Sequence, residues 1–277
     1  MDLYSLTTFK CSKLITEHYS TSFTLGIKTL HKKLHYPIFA IYGYVRYADE
    51  IVDTFYDHDQ AGMLTRYRED TIRALKDRIS TNPVLHCFQE VVHKYDIEFE
   101  LIEAFLDSME MDLHKTQYSN SQYEKYIYGS AEVVGLMCLR VFCEGDTELF
   151  ERLKEPARKL GAAFQKVNFL RDVQSDFEER GRVYFPGVDF TQFSLEEKCR
   201  IEEDIQNDFN QAFEGILNLP KEARWGVYLA YNYYLNLFKK IKRCNASQIL
   251  SERIRIPNQR KFALLVQTYF RHQFNFM

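Results

Sequence analysis

Ile38-Phe-Ala-Ile-Tyr42-Gly-Tyr-Val-Arg46-Tyr-Ala-Asp49-Glu50-Ile-Val-Asp53-Thr-Phe-Tyr56 is apolar around most of a helical circumference, interrupted by Arg46, Asp49, Glu50 and Asp53. A helix apolar nearly all round sits inside a protein. Charges placed there must face a polar cavity or a metal, because an unpaired buried ion is very costly. Residues four apart on a helix are offset by about 40° around the axis and roughly 6 Å along it. Asp49 and Asp53 therefore project from one face. A second stretch, Gln165-Lys-Val-Asn168-Phe-Leu-Arg171-Asp172-Val-Gln-Ser-Asp176-Phe-Glu178-Glu179-Arg180-Gly-Arg182, repeats the device with Asp172 and Asp176. Like charges at this spacing destabilise a helix by about 0.2–0.5 kcal/mol. A hard divalent cation with oxygen ligands is the natural compensation.

Working outward, the chain carries only six prolines, with long stretches dense in Leu, Ile, Phe, Tyr, Glu, Lys and Arg between them. Proline and glycine are strong punctuators of helices, so this layout predicts long helices joined by short connections. Helices are expected over 38–56, 66–79, 84–95, 97–114, 123–143, 157–180, 194–217, 221–243 and 257–272, with a loop over Phe190–Phe193. Glycines inside a helix each cost about 1 kcal/mol against alanine, so Gly129 and Gly135 within 123–143 point to close helix packing or room for a ligand. No linker, charge block or shift of composition divides the chain. The expected architecture is all-α, one domain over 1–277.

The 277 residues are 45% apolar, enough to bury a large core, and the formal charge of −3 leaves no basic footprint for nucleic acid. The N-terminus lacks a secretory layout, and no apolar run approaches the roughly 20 residues that span a bilayer. A cytoplasmic protein, soluble or peripheral to the membrane, is expected. The six cysteines form no CxxC and join no His pair, so they read as small buried apolar residues. His31 and His35 lack the acid partner of an HExxH motif and read as surface or packing residues.

The ordered set Ser20-Thr-Ser22-Phe23, Tyr42-xxx-Arg46-xx-Asp49-Glu50-xx-Asp53, Tyr128-Gly129-Ser130-Ala131-xxx-Gly135, Gln165-xx-Asn168-xx-Arg171-Asp172-xxx-Asp176 and Arg182-x-Tyr184-x-Pro186 resembles the squalene and phytoene synthases. These are head-to-head prenyl synthases, and the likeness is strongest to the bacterial phytoene synthases. The resemblance runs from about Tyr19 to Lys261. It implies an isoprenoid-synthase helical bundle around a deep central cavity, where two prenyl diphosphates are joined 1′–1 through a cyclopropyl diphosphate. It places Mg²⁺, with Mn²⁺ as a substitute, on Asp49, Asp53, Asp172 and Asp176. It adds Tyr184 and Tyr234 to the catalytic set, with Tyr233 competing for the latter position. Ser20, Ser22, Tyr42, Arg46, Tyr128, Gln165, Asn168, Arg171 and Arg253 become the substrate contacts, and Arg255 is the alternative to Arg253.

For phytoene synthesis the resemblance implies two geranylgeranyl diphosphates and no NADPH. Prenyl diphosphates are then the only partners expected, apart from peripheral membrane contact for product delivery. Squalene or dehydrosqualene synthesis from two farnesyl diphosphates is the alternative, and a non-catalytic assembly factor on this fold is a third. Retention of all four aspartates weighs against the third. Ile27 is expected along the prenyl tunnel, with an aromatic floor such as Phe39 favouring the shorter substrate. Ser20 and Ser22 also suit helix capping. Glu132 stands where many relatives carry a small residue, and is expected to point away from the tunnel or to meet a cation. Glu178 and Glu179 read as salt-bridge residues beside Arg180 and Arg182.

Overall fold

The computed structural model describes residues 2–114, 117–179, 181–251 and 253–254. The segment 257–272, Arg180, Arg255 and the side chains of Glu178 and Glu179 lie outside the described residues. Among the described residues twelve α-helices follow one another: α1 Leu3–Tyr19, α2 Thr21–Thr29, α3 Lys32–Asp53, α4 Gln60–Asp77, α5 Pro83–Tyr95, α6 Phe99–His114, α7 Asn120–Ile127, α8 Val133–Cys143, α9 Thr147–Gln174, α10 Leu195–Asn218, α11 Lys221–Arg243 and α12 Ala246–Ser251. Among the described residues the only β pairing is an isolated bridge, Gln117 with Val183.

Three helices, α1, α2 and α12, lie where no helix was expected, and for α1 the burial pattern explains why. The buried face of α1 is Ser5, Thr8, Ser12 and Thr16, while Leu3, Leu6 and Leu14 are exposed. Hydroxyls replace the usual apolar stripe, so hydrophobic periodicity is silent there. The two threonines turn back onto their own helix, Thr8 Oγ1 to the Ser5 carbonyl and Thr16 Oγ1 to the Ser12 carbonyl. These small side chains let α1 approach α3 so closely that a Cβ on Gly43 would lie 2.9 Å from Ser12 Cβ. The helix α2 is short and begins at Ser20, whose hydroxyl accepts from the Phe23 N–H at 3.2 Å.

The expected start of α9 at 157 is ten residues late. Asp146 caps the helix by accepting from the Leu149 N–H at 2.9 Å, and Pro156 falls inside. A proline interior to a helix removes a backbone donor. Its ring here lodges at Gly215 of α10, where a Cβ would stand 2.2 Å from Pro156 Cβ. The last turn is also not α-helical. Ser175–Glu179 is a π turn, as is Tyr128–Glu132 between α7 and α8. Phe190–Gln192, expected as loop, makes a single 3₁₀ turn.

Asn120–Cys143, the run α7–π turn–α8, is long and apolar enough by composition to cross a membrane, which corrects the expectation that no run approaches that length. Half of that apolar window is buried in the fold, with Ile127, Val133, Leu136 and Met137 in the core. It packs as a core helix. The cysteine expectation also needs correction: Cys87 and Cys143 are buried, but Cys199 is exposed. His31 and His35 do serve packing and capping, His31 Nδ1 accepting from the Lys33 N–H and His35 Nε2 meeting the Leu30 carbonyl.

Two hydrophobic clusters form the interior. One joins α3, α5, α6, α8 and the start of α9; the other joins the rest of α9 to α10, α11 and α12. Between them lies a cavity of about 770 Å³.

Candidate active site

The cavity gathers most of the sequence-marked residues. Ser20 and Ser22 of the α2 end, Tyr42, Arg46, Asp49 and Asp53 of α3, Gln165, Asn168, Arg171 and Asp172 of α9, Asp176 of the π turn, Tyr184, Tyr234 and Arg253 all lie on its wall. Tyr233 lines it too, so both candidate tyrosines of α11 reach the same space. Tyr128 does not line the cavity: it packs against the core beneath the Arg158 guanidinium, 5.4 Å from its ring centre. The π turn that begins at Tyr128 presents Ser130 and Ala131 to the cavity in its place.

On α3 the part-buried acids and the arginine interact before any ligand arrives. Arg46 pairs with Glu50 one turn on and stands 3.8 Å from Asp49, with its guanidinium stacked 4.3 Å above the Tyr19 ring. Its Nε is buried and has no hydrogen-bond partner. An orphaned buried N–H is rare and costly. Burial first, and then the charge of Asp53, push the Asp49 carboxyl up to about 7, with Arg46 opposing. About 32% of the Asp49 side chain remains accessible, but the space it meets is the enclosed cavity, where solvation is weaker than at an outer surface.

The second acid pair is bridged differently. Arg171 meets its neighbour Asp172 through Nε at 3.0 Å, and Arg253 approaches the same carboxylate through Nε at 2.7 Å. Two guanidiniums thus converge on one carboxylate at the cavity wall. Asp176 is buried and sits in the π turn rather than in the expected α-helical register. Such turns recur at functional sites. The Arg182 N–H donates to the Asp176 carbonyl at 2.8 Å, and Arg182 Nη1 donates to Asp53 at 2.9 Å, so one residue ties the two acid-bearing elements together.

Sequence reading missed Asp112. It is buried on α6, lines the cavity, and accepts from Tyr126 at 2.7 Å, Tyr118 at 3.1 Å and Tyr184 at 3.4 Å. Burial pushes its carboxyl up to about 6 against the opposing charge of Arg182. The signal was available: Asp112 continues the buried 102, 105, 109 series of α6 at helical spacing. Tyr184 stacks on Phe169 with ring centres 4.0 Å apart.

A polar ladder runs along α9. Gln165 Nε2 donates to Ser130 at 3.4 Å, Asn168 Nδ2 donates to Gln165 at 3.4 Å, and the Tyr234 hydroxyl donates to Asn168 at 3.3 Å. Tyr234 stacks on Phe164, ring centres 4.0 Å apart, and Tyr42 lies 5.2 Å from Phe23. Burial raises the Tyr42 hydroxyl to about 12, so it stays a neutral donor. Away from this polar end the wall is apolar: Ile27, Ile38, Ile41, Leu139, Phe142 and Leu153. Phe39 is not on it, packing instead near Phe9 at 6.0 Å. Glu132 is off the wall as well, paired with Arg158 Nε at 2.6 Å.

A cavity with acids and arginines at one end and an apolar depth suits an amphiphile with an anionic head. Residues 16–260 match the family model for squalene/phytoene synthase. The chain belongs to the squalene/phytoene synthase family. It is therefore a prenyltransferase, and the helical bundle around a cavity is the isoprenoid-synthase fold. The chain is 25% identical to the phytoene synthase of Arthrospira platensis, covering 93% of this chain and 91% of that protein. It is 26% identical to the 15-cis-phytoene synthase of Enterobacter agglomerans, over 89% and 90% of the two chains. A crystal structure of a dehydrosqualene synthase superposes with a TM-score of 0.81 at 24% identity, covering 97% of this chain and 98% of that one. Squalene synthase HpnC from Alicyclobacillus acidocaldarius gives 0.75 at 19%, covering 88% and 96%.

Among the described residues no three His, Cys, Asp or Glu side chains converge into a metal site by themselves. The chemistry of the donors still suits a divalent cation. Asp49 and Asp53 raise each other's energy without a cation between them, and Asp172 and Asp176 add oxygens from α9 and its π turn.

Proposed function

We propose that this enzyme condenses two geranylgeranyl diphosphates head to head, giving phytoene through prephytoene diphosphate, in carotenoid biosynthesis. The observation that carries the reading is the pairing of Arg46, Arg171 and four aspartates at one end of the cavity with an apolar depth at the other. Mg²⁺, or Mn²⁺ in its place, would be held by Asp49, Asp53, Asp172 and Asp176 and would neutralise charge on the departing diphosphates, taking few carboxylates and several phosphate oxygens.

The chain's own residues supply the rest. Arg46, on the cavity wall, offers its guanidinium to a diphosphate oxygen. Arg171 and Arg253 turn from Asp172 to phosphate, keeping a planar donor fork on the anion. Stabilising the leaving group in a preorganised site lowers the ionisation barrier. The first ionisation releases one diphosphate, C1′ of that chain bonds to C2 and C3 of the other, and loss of a C1′ proton closes the cyclopropane. The second releases the cyclopropyl intermediate's diphosphate, and the rearranged cation ends as an alkene by losing a proton, so no nicotinamide is consumed. Tyr42, Tyr184 and Tyr234 present aromatic faces and hydroxyls to this path. The apolar wall keeps water from the cation.

Ile27 is buried on the wall, and Phe39 is not there to close the floor. Burying the five extra carbons of each C20 chain contributes up to about 4 kcal/mol at ~0.8 kcal/mol per carbon. The test is competition between farnesyl and geranylgeranyl diphosphates with Mg²⁺ and without nicotinamide. Phytoene as the main product supports the proposal; exclusive C30 product overturns it.

A further inference from the structure

Every glycine but one has a reason in the folded chain. Of the eleven, Gly145, Gly181 and Gly187 have positive φ, where a side chain is strained. At Gly43, Gly62, Gly129, Gly135, Gly161, Gly215 and Gly226 an added Cβ would lie within 3.1 Å of another atom. Gly26 has neither property. It sits inside α2 with ordinary helical φ, and a Cβ there would meet nothing within 4 Å. A glycine inside a helix is disfavoured against alanine, so neither the backbone nor the packing of the free protein explains it.

The position of Gly26 supplies the reason. It lines the cavity, and its carbonyl faces Gly226 of α11, where a Cβ would stand 3.0 Å away. Ser22 and Gly26 lie four residues apart on one side of α2, Leu30 caps its C-terminus, and all three are on the cavity wall. Ser22 neighbours the polar end, where Ser20, Tyr42 and Arg46 lie. Leu30 is buried, and its side chain would lie 2.4 Å from a Cβ on Gly226. A path from the acids along α2 therefore passes the gap over Gly26 and ends at Leu30.

We propose that Gly26 is a specificity-determining residue: its missing side chain is the space taken by the far part of one prenyl chain. This rests on the proposed prenyl diphosphate substrates. Gly26→Ala favours the helix, and it raises the melting temperature of the ligand-free protein by about 2 °C. The same variant raises KM for geranylgeranyl diphosphate at least threefold. Gly26→Leu, also a good helix former, raises it at least tenfold and moves the product of a mixed C15 and C20 incubation toward C30. The experiment measures KM for each diphosphate, product chain length and melting temperature in the wild type and both variants. An active wild type whose Gly26→Leu variant is folded, with KM and product ratio unchanged, overturns this inference and leaves the proposed reaction standing. A wild type that turns over neither diphosphate overturns the reaction itself, and this inference with it.

Discussion

Arg182 Nη1 donates to Asp53 Oδ1 at 2.9 Å, joining residues 129 positions apart in the chain. The same guanidinium reaches the Asp112 carbonyl at 3.2 Å through Nη2. Arg182 thus braces α3 against α6 while its backbone holds the π turn at Asp176. Arg182→Met leaves the buried Asp112 and part-buried Asp53 without their countercharge. Removing one partner of a buried pair costs about 3–5 kcal/mol, and the partial exposure of Asp53 puts this case at the low end. Thermal unfolding of the ligand-free variant reads the loss, and an unchanged melting temperature refutes the bracing role.

Replacing Asp49, Asp53, Asp172 or Asp176 singly by Asn is expected to lower turnover at least 100-fold while far-ultraviolet circular dichroism stays helical. Thorough chelation of divalent cations is expected to abolish turnover, with recovery on adding Mg²⁺. Near-normal turnover after chelation, or in all four variants, removes the metal assignment.

The Asp49 carboxyl, raised to about 7, sets a pH dependence whose sign follows from linkage. Its folded-state value lies above the ordinary 3.8, so the ligand-free protein gains stability from it in acid, and loses that contribution as pH rises through 7. A divalent cation needs the ionised form. Apparent affinity for Mn²⁺ should therefore fall by up to tenfold per pH unit below about 6, and Asp49→Asn should flatten that slope. Titration of Mn²⁺ between pH 5.5 and 8 decides it; equal slopes in both proteins count against Asp49.

Arg46→Lys and Arg171→Lys keep a charge but lose the planar fork. Turnover should fall more than tenfold with little change in melting temperature. Arg253 is half-exposed and bonded to Asp172 at 2.7 Å, so Arg253→Ala should behave in the same way. If Arg253→Ala is silent while Arg255→Ala disables the enzyme, the late arginine is Arg255.

Ile27 is 3% exposed on the cavity wall. Ile27→Phe should shift product in a mixed incubation toward the shorter chain, read by chromatography of the hydrocarbons. An unshifted ratio with intact turnover clears Ile27 of chain-length selection.

The sequence by itself determined the helical class, the buried character of the Asp49–Asp53 helix and the family, because acids repeated at helical spacing in apolar segments carry their meaning locally. It also located α10 and α11 nearly to the residue, as Ser194 forms a capping box and Pro220 precedes a clean amphipathic period. Other features were settled only in three dimensions. Helix α1 escaped because close approach to α3 selects hydroxyls over leucines on its inner face. Pro156 lies inside α9 because Gly215 receives its ring. Tyr128 left the expected wall through a π turn, which no local spacing announces. Asp112 joined the site because Tyr118, Tyr126, Tyr184 and Arg182 arrive from distant parts of the chain to satisfy it. Local spacing fixes which side chains share a face; only packing between elements decides what that face meets.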